Sequence, residues 1–349
     1  MNNWPDFLLN ADGRKITPAD WERQREQMKK ILQQNIYGRI PDAPDEICAE
    51  VSETRAGYCA GKALFQKILL TIRVGKKEDS FPVFAAVPVN RQIEGTFLFL
   101  SFRTEFPNEY LPVEEIVDGG FAVFSFCYKD VTADNDDFTD GLASLFYNDN
   151  QRQADDPGKI AIWAWAAMRV MDYLQTRKDI DISNIMTVGH SRLGKTALVA
   201  AGFDERFSGG ISNDSGCAGA AITRGKQGER IAQIVDRFPY WFCRQYAAYA
   251  GREQDLPFDQ HFLLALIAPR TLYVASAQED LWADPQAEFA GCVAASGAYA
   301  LLGKMGIETE TFPALNHPLH AGTIGYHIRP GTHWLSRSDW QMFMAFRKK

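Results

Sequence analysis

No stretch of this chain approaches the roughly 18 uninterrupted apolar residues that crossing a membrane requires. The opening Met1-Asn-Asn-Trp-Pro-Asp also lacks the basic-then-apolar order of an export leader. As written, the chain reads as cytoplasmic and without a membrane partner; secretion would mean that a leader had been trimmed away. Basic charge is in short supply too. The 37 Lys and Arg stand against 44 Asp and Glu, a formal net charge of -7, which excludes the basic footprint of a general nucleic-acid binder. The six cysteines (Cys48, Cys59, Cys127, Cys217, Cys243, Cys292) show no C-x-x-C spacing, so they indicate neither a zinc ribbon nor a disulfide framework and read as reduced core residues. The six histidines include no H-E-x-x-H or comparable pair at metal-ligand spacing, so neither a catalytic metal nor another cofactor is expected.

What remains is material for one large α/β unit. With 349 residues, 46% of them hydrophobic, residues 1–349 can fill a single core and are expected to form one domain. Thr17-Pro18 precedes a helical stretch through Trp21, Met28, Leu32 and Ile36, which Gly38 ends. Residues 63–74, 81–88 and 96–102, rich in β-branched and aromatic side chains, read as successive strands, so the N-terminal helix and strands occupy about 17–102. From residue 121 short apolar strands alternate with long helices, the pattern of a mostly parallel sheet with helices on both faces. Strands are predicted at 121–127, 185–189, 207–213, 271–277 and, last in the sheet, 308–314. Helices are predicted at 159–179, from about Arg192, and at 285–302. Residues 215–260, between two predicted strands, read as a cap-like insertion over the sheet.

The segment Thr187-Val188-Gly189-His190-Ser191-Arg192-Leu193-Gly194-Lys195 falls between a predicted strand and a predicted helix. A serine on such a strained turn, with glycines that admit close backbone packing, is the nucleophile elbow of the α/β-hydrolase fold, a three-layer sandwich; the helix N-terminus beside it favours an oxyanion. Leu193 occupies the second glycine position of G-x-S-x-G, and taken alone Ser191 has a second reading as a helix cap. Chain order adds to the motif, because this fold places an acid beyond a later strand and then a histidine near the C-terminus. Two acids compete: Asp214 and Asp280 each lie just past a predicted strand. Asp280 is favoured, since its strand is the more clearly apolar and Asp214 also reads as a turn former in Asn213-Asp214-Ser215-Gly216. His333, after Gly331 and ahead of a terminal helix containing Trp340, is the candidate base. His190 should point away from the serine, His261 precedes a buried-looking run, and His317 and His320 read as loop residues; His327 shares the late segment with His333.

At this point several blocks, in one order, resemble carbohydrate esterase family 15, the glucuronoyl esterases, and particularly their bacterial branch. They are GHSRLGK (189–195) with the following TALVAAGFDERF, NDSGCAGAA (213–221), FPYWFC (238–243), LPFDQHFLLALIAPR (256–270), ASAQEDLWADP (275–285) and GYHIRPGTHWL (325–335). The resemblance runs from about residue 21 to 346. It implies cleavage of the ester that joins the carboxyl of (4-O-methyl)-glucuronic acid on xylan to an alcohol. Position by position it implies Ser191 as nucleophile, Arg192 as an oxyanion-binding side chain, Lys195 and Glu229 as contacts to sugar hydroxyls, Trp282 as a wall of the sugar pocket, and His333 as base. Asp214 stands where many members carry a catalytic glutamate, one methylene longer, and Asp280 stands at an alternative acid position. The expectation is therefore a serine esterase working through an acyl-enzyme on a small carbohydrate ester, a glucuronate or xylo-oligosaccharide ester. Alternatives are an acetyl-xylan or other general carbohydrate esterase, and a non-catalytic carbohydrate-binding protein of the same fold.

Overall fold

The computed structural model describes residues 4–10 and 12–349; Met1, Asn2 and Asn3, part of the segment read above for a leader, lie outside the described residues. Strand β4 (Gly95–Ser101) shows how the core is divided. Leu98 and Leu100 enter one apolar cluster and Phe97 and Phe99 another, as period-2 alternation requires of a strand buried on both faces. The first cluster is roofed by helices Trp21–Leu32, Lys159–Leu174, Arg192–Phe203 and Pro285–Leu301, the second by Val113–Asp118 and Arg337–Arg347. The result is three layers, the α/β-hydrolase architecture.

The sheet holds β1 (Glu46–Gly57), β2 (Ala63–Val74), β3 (Lys77–Pro88), β4, β5 (Phe121–Cys127), β6 (Ile185–His190), β7 (Gly209–Asn213), β8 (Thr271–Ala277) and β9 (Ile324–Arg329), in the order β1-β2-β3-β5-β4-β6-β7-β8-β9. From β1 to β5 neighbours along that order are antiparallel. From β5 to β9 they are parallel.

Most predicted elements are present within a few residues, with two corrections. Residues 308–314 form no strand, and the last strand is β9. Glu and Thr alternate in ETETFPA as they do in strands, but only Phe312 packs on the core, so the segment has too little apolar surface to bury. The second correction is β1, which the sequence reading passed over. Its side chains are almost all exposed and many are charged, and register with β2 holds it, Glu46 facing Arg73 with an ion pair between them. A charged edge strand of this kind resists pairing with other chains. The 159–179 helix also stops early, at Leu174. Among the described residues no helix is long and apolar enough to cross a membrane, and all six cysteines are free thiols.

This topology positions the site. Ser191 follows β6, Asp214 follows β7, Asp280 lies just past β8 and His333 just past β9. Four adjacent parallel strands thus deliver the four candidates to the carboxyl edge of one sheet, where open α/β sheets place their ligands.

Candidate active site

Ser191 sits at φ 57°, ψ -127°, a left-handed conformation that costs a β-carbon-bearing residue on the order of 1–3 kcal/mol and persists only where the surroundings enforce it. They do so here. Ser191 N–H donates to the Asn213 carbonyl at 2.9 Å, and a β-carbon on Gly189 would stand 2.0 Å from the Leu193 carbonyl oxygen. A β-carbon on Gly194 would meet Ser212 Oγ and Ser215 Cβ at 3.1 Å, so the glycine displaced from the strict motif lets the helix approach β7. Arg192 opens that helix; the Gly194 and Lys195 N–H groups donate to the Ser191 carbonyl, which leaves those of Arg192 and Leu193 without intrahelical partners, as an oxyanion site needs.

Asp280 Oδ2 lies 2.6 Å from His333 Nδ1, and Asp280 Oδ1 accepts the Ala283 N–H at 3.2 Å. Burial works against the Asp280 charge, but the hydrogen bond and charge of His333 outweigh it and hold the carboxyl below the usual range. Asp280 is therefore an ionised acceptor that fixes the proton of His333 on Nδ1 and leaves Nε2 as the basic nitrogen. Ser191 and His333 line one cavity of about 320 Å³. Among the described residues no hydrogen bond joins them, a gap that active sites commonly close only in the substrate complex.

Asp214 is brought to the same cluster, its carboxylate within 4.8 Å of ligand atoms on both Asp280 and His333, but its bonds go elsewhere. Oδ1 accepts the Ala277 N–H at 2.8 Å, and Oδ2 faces the Trp334 N–H at 3.4 Å and Arg329 Nη2 at 3.5 Å. Burial, then the carboxylates of Glu288 and Asp280, push its carboxyl well above the usual range despite Arg329. A carboxyl biased towards its neutral form is a poor partner for an imidazolium.

Arg192 and Lys195 stand in the first turn of a helix, where cations oppose the macrodipole, and each is compensated. The Arg192 guanidinium pairs with Asp134 and lies over Trp241, its Cζ 4.5 Å from the ring centroid, while Phe238 stacks on that tryptophan with centroids 3.8 Å apart. Its Nε–H has no partner among the described residues, leaving a donor on a side chain that lines the cavity. Lys195 is buried and its ammonium donates to the Ser215 carbonyl at 2.5 Å; burial pushes its pKa down, with Glu229 opposing. Glu229 and Trp282 complete the wall, and Trp282 is 52% exposed, open to a ligand. A larger hollow of about 1100 Å³, lined among others by Lys30, Arg39 and Tyr147, contains none of these groups.

Comparisons with known proteins place the chain among esterases of the same fold. The profile of the family described as "Glucuronyl esterase, fungi" matches residues 105–303, more than half of the chain. The chain is 32% identical to Carbohydrate esterase MZ0003 from an unknown prokaryotic organism, over 98% of its own length and 88% of that protein. A solved glucuronoyl esterase from Solibacter usitatus superposes with a TM-score of 0.90 at 34% identity, covering 99% of this chain and 97% of the other. The 4-O-methyl-glucuronoyl methylesterase of Hypocrea jecorina is 29% identical over 85% of this chain, which spans 62% of that protein's length.

The chain belongs to carbohydrate esterase family 15, the glucuronoyl esterases. It is accordingly a carboxylic ester hydrolase. Several residues of this glucuronoyl esterase's site escaped the sequence reading. Asp134 takes the Arg192 guanidinium, the Trp241 indole N–H at 2.7 Å and the Tyr128 hydroxyl at 2.9 Å, yet in the sequence it is one of several acids in an irregular loop. Phe238 and Trp241 stood in a quoted block without a role; their spacing of three residues is the one signal that could have paired them. His190, expected to face away from the serine, is buried, with Nδ1 2.6 Å from Asn213 Oδ1 and its ring centroid 4.5 Å from that of His333. Burial, then His333, press its pKa down to about 3, so it packs beside His333 as an uncharged ring.

Below the cavity floor, Glu288 accepts the Gly216 N–H at 2.8 Å and the Ser276 hydroxyl at 2.6 Å, and burial raises its pKa from 4.5 to about 7. A carboxyl that titrates higher in the folded than in the unfolded state contributes stability that is fully present below about pH 4.5 and is lost as pH rises towards about 7. The loss is on the order of 3 kcal/mol. The unfolding midpoint of the parent should decline between pH 4.5 and 7, and Glu288→Gln, which resembles the protonated acid, should flatten that decline. Equal declines in thermal melts of the two proteins would contradict this account.

Proposed function

We propose that this esterase hydrolyses the ester between the carboxyl of a (4-O-methyl)-glucuronic acid residue and an alcohol, through an acyl-enzyme on Ser191. The observation that carries the reading is the Asp280–His333 contact opening into the cavity that Ser191 lines from its strained turn. His333 Nε2 takes the serine proton as Oγ attacks the ester carbonyl, and later returns a proton to the departing alcohol. A second cycle with water frees the acid. We assign the N–H groups that open the Arg192–Phe203 helix, and the Arg192 side chain that lines the cavity, to the negative charge of each tetrahedral intermediate, which they stabilise because it is present only at that stage. Lys195, Glu229 and Trp282 form a mixed polar and aromatic wall suited to sugar hydroxyls and a sugar face. A cavity of about 320 Å³ is of the size that holds a small ligand, so we assign it the uronosyl residue, with any xylo-oligosaccharide and the alcohol reaching outward.

Hydrolysis of benzyl glucuronate, compared with an acetylated xylo-oligosaccharide, tests the substrate class. Higher kcat/KM on the uronate ester is expected, and preference for the acetate would contradict it. Arg192→Met should lower kcat and kcat/KM together by about 10²–10³-fold, because the lost contact belongs to the transition state. An effect confined to KM would remove Arg192 from that role.

A further inference from the structure

Three buried polar groups near the cavity take no part in the acyl-transfer steps: Arg329, Asp339 and Asp214. They converge on the loop that carries the base. Arg329, the last residue of β9, is held by both oxygens of Asp339, with Nε at 3.1 Å from Oδ1 and 2.9 Å from Oδ2. Its remaining N–H groups turn back onto the loop. Nη1 donates to the Pro330 carbonyl at 3.0 Å, and Nη2 donates to the Thr332 carbonyl at 3.2 Å and to the Trp334 carbonyl. Thr332 and Trp334 bracket His333 on either side. Asp339 is fixed in turn, since it caps the helix Arg337–Arg347 through Ser336 and takes His327 Nε2 at 2.8 Å. From the other side Asp214 faces the Trp334 N–H and binds the Ala277 N–H, and so spans the loops of the base and of Asp280.

We propose that Arg329 is a positioning residue for catalysis: its guanidinium fixes the backbone on both sides of His333 and thereby sets the imidazole between Asp280 and Ser191. Besides the Gly331 carbonyl, which accepts the Glu279 N–H at 3.0 Å, this loop of Pro, Gly and Thr depends on side chains to hold its backbone; a planar fork with five donors in fixed directions can bind Asp339 and three loop carbonyls together, more than the three donors of an ammonium can reach. Asp214, in this arrangement, clamps the loop rather than orienting the ring. The inference rests on the reading of His333 as base, because a misplaced base slows chemistry without changing how the sugar binds.

The test is Arg329→Lys, which keeps a cation beside Asp339 but loses the fork. Active sites are counted by fluorophosphonate titration, and kcat and KM are measured on benzyl glucuronate per titrated site. We expect kcat to fall by about 10²-fold, the effect of a displacement near 1 Å, with KM within a small factor of the parent. A role in folding alone would lower the number of titrated sites and leave kcat per site unchanged, and that result overturns the inference. Should Arg329→Lys not fold, Gly331→Ala perturbs the same loop beside the guanidinium. Gly331 has φ 99°, and an added β-carbon would stand 3.3 Å from Arg329 Nη1. Unchanged kcat per titrated site in that variant is equally decisive against the proposal. A parent protein that neither reacts with the fluorophosphonate nor turns over the ester defeats the esterase reading instead, so the two failures are separable.

Discussion

Replacing Ser191 with alanine should lower kcat on benzyl glucuronate by about 10⁶-fold, the scale seen when the nucleophile of a serine hydrolase is removed, while the protein folds as before. Alanine bears the same φ of 57° at similar strain, and the Ser191 N–H bond to the Asn213 carbonyl survives because it belongs to the backbone. Binding should also survive, since Lys195, Glu229 and Trp282 are untouched. Equal turnover by Ser191→Ala and the parent, each purified to the same homogeneity, would take the serine out of the mechanism.

The second large effect separates the two acids. Asp280→Asn should lower kcat by about 10⁴-fold, because an amide in place of the carboxylate no longer fixes the Nδ1–H tautomer or stabilises the imidazolium. Asp214→Asn should cost no more than about 10²-fold, through displacement of the loop alone, since an amide oxygen can still accept the Ala277 or Trp334 N–H. The reverse ranking, read from kcat per titrated site of the two variants, would make Asp214 the partner of the imidazole. Geometry favours Asp280 on distance, 2.6 Å to Nδ1, and on charge, because its carboxyl is held low where that of Asp214 is driven high.

Much of this was legible in the chain because the signals are local. Strands β5, β6 and β8 are short apolar runs, and the turn at Ser191 is flagged by the glycines that steric crowding demands. The order serine, acid, histidine reflects the order in which the chain visits adjacent strands. Elements held by tertiary contacts were harder to see. β1 is polar and exposed, and only its register with β2 makes it a strand; β9 hides as a six-residue run between loops containing Gly322 and Pro330. The choice between Asp214 and Asp280 depended on where two neighbouring loops aim their carboxylates, which spacing does not encode. Asp134 and Arg329 were invisible for the same reason, since each works through partners remote in sequence or through backbone carbonyls rather than through a motif.

The most direct test of the central claim is peptide mapping after treatment with a fluorophosphonate, with the labelling rate followed in the parent and in Asp280→Asn. The account predicts a single phosphonylated peptide containing Ser191, loss of ester hydrolysis in proportion to its labelling, and far slower labelling of Asp280→Asn. Full hydrolytic activity with Ser191 unmodified, or label carried on another residue, would contradict it.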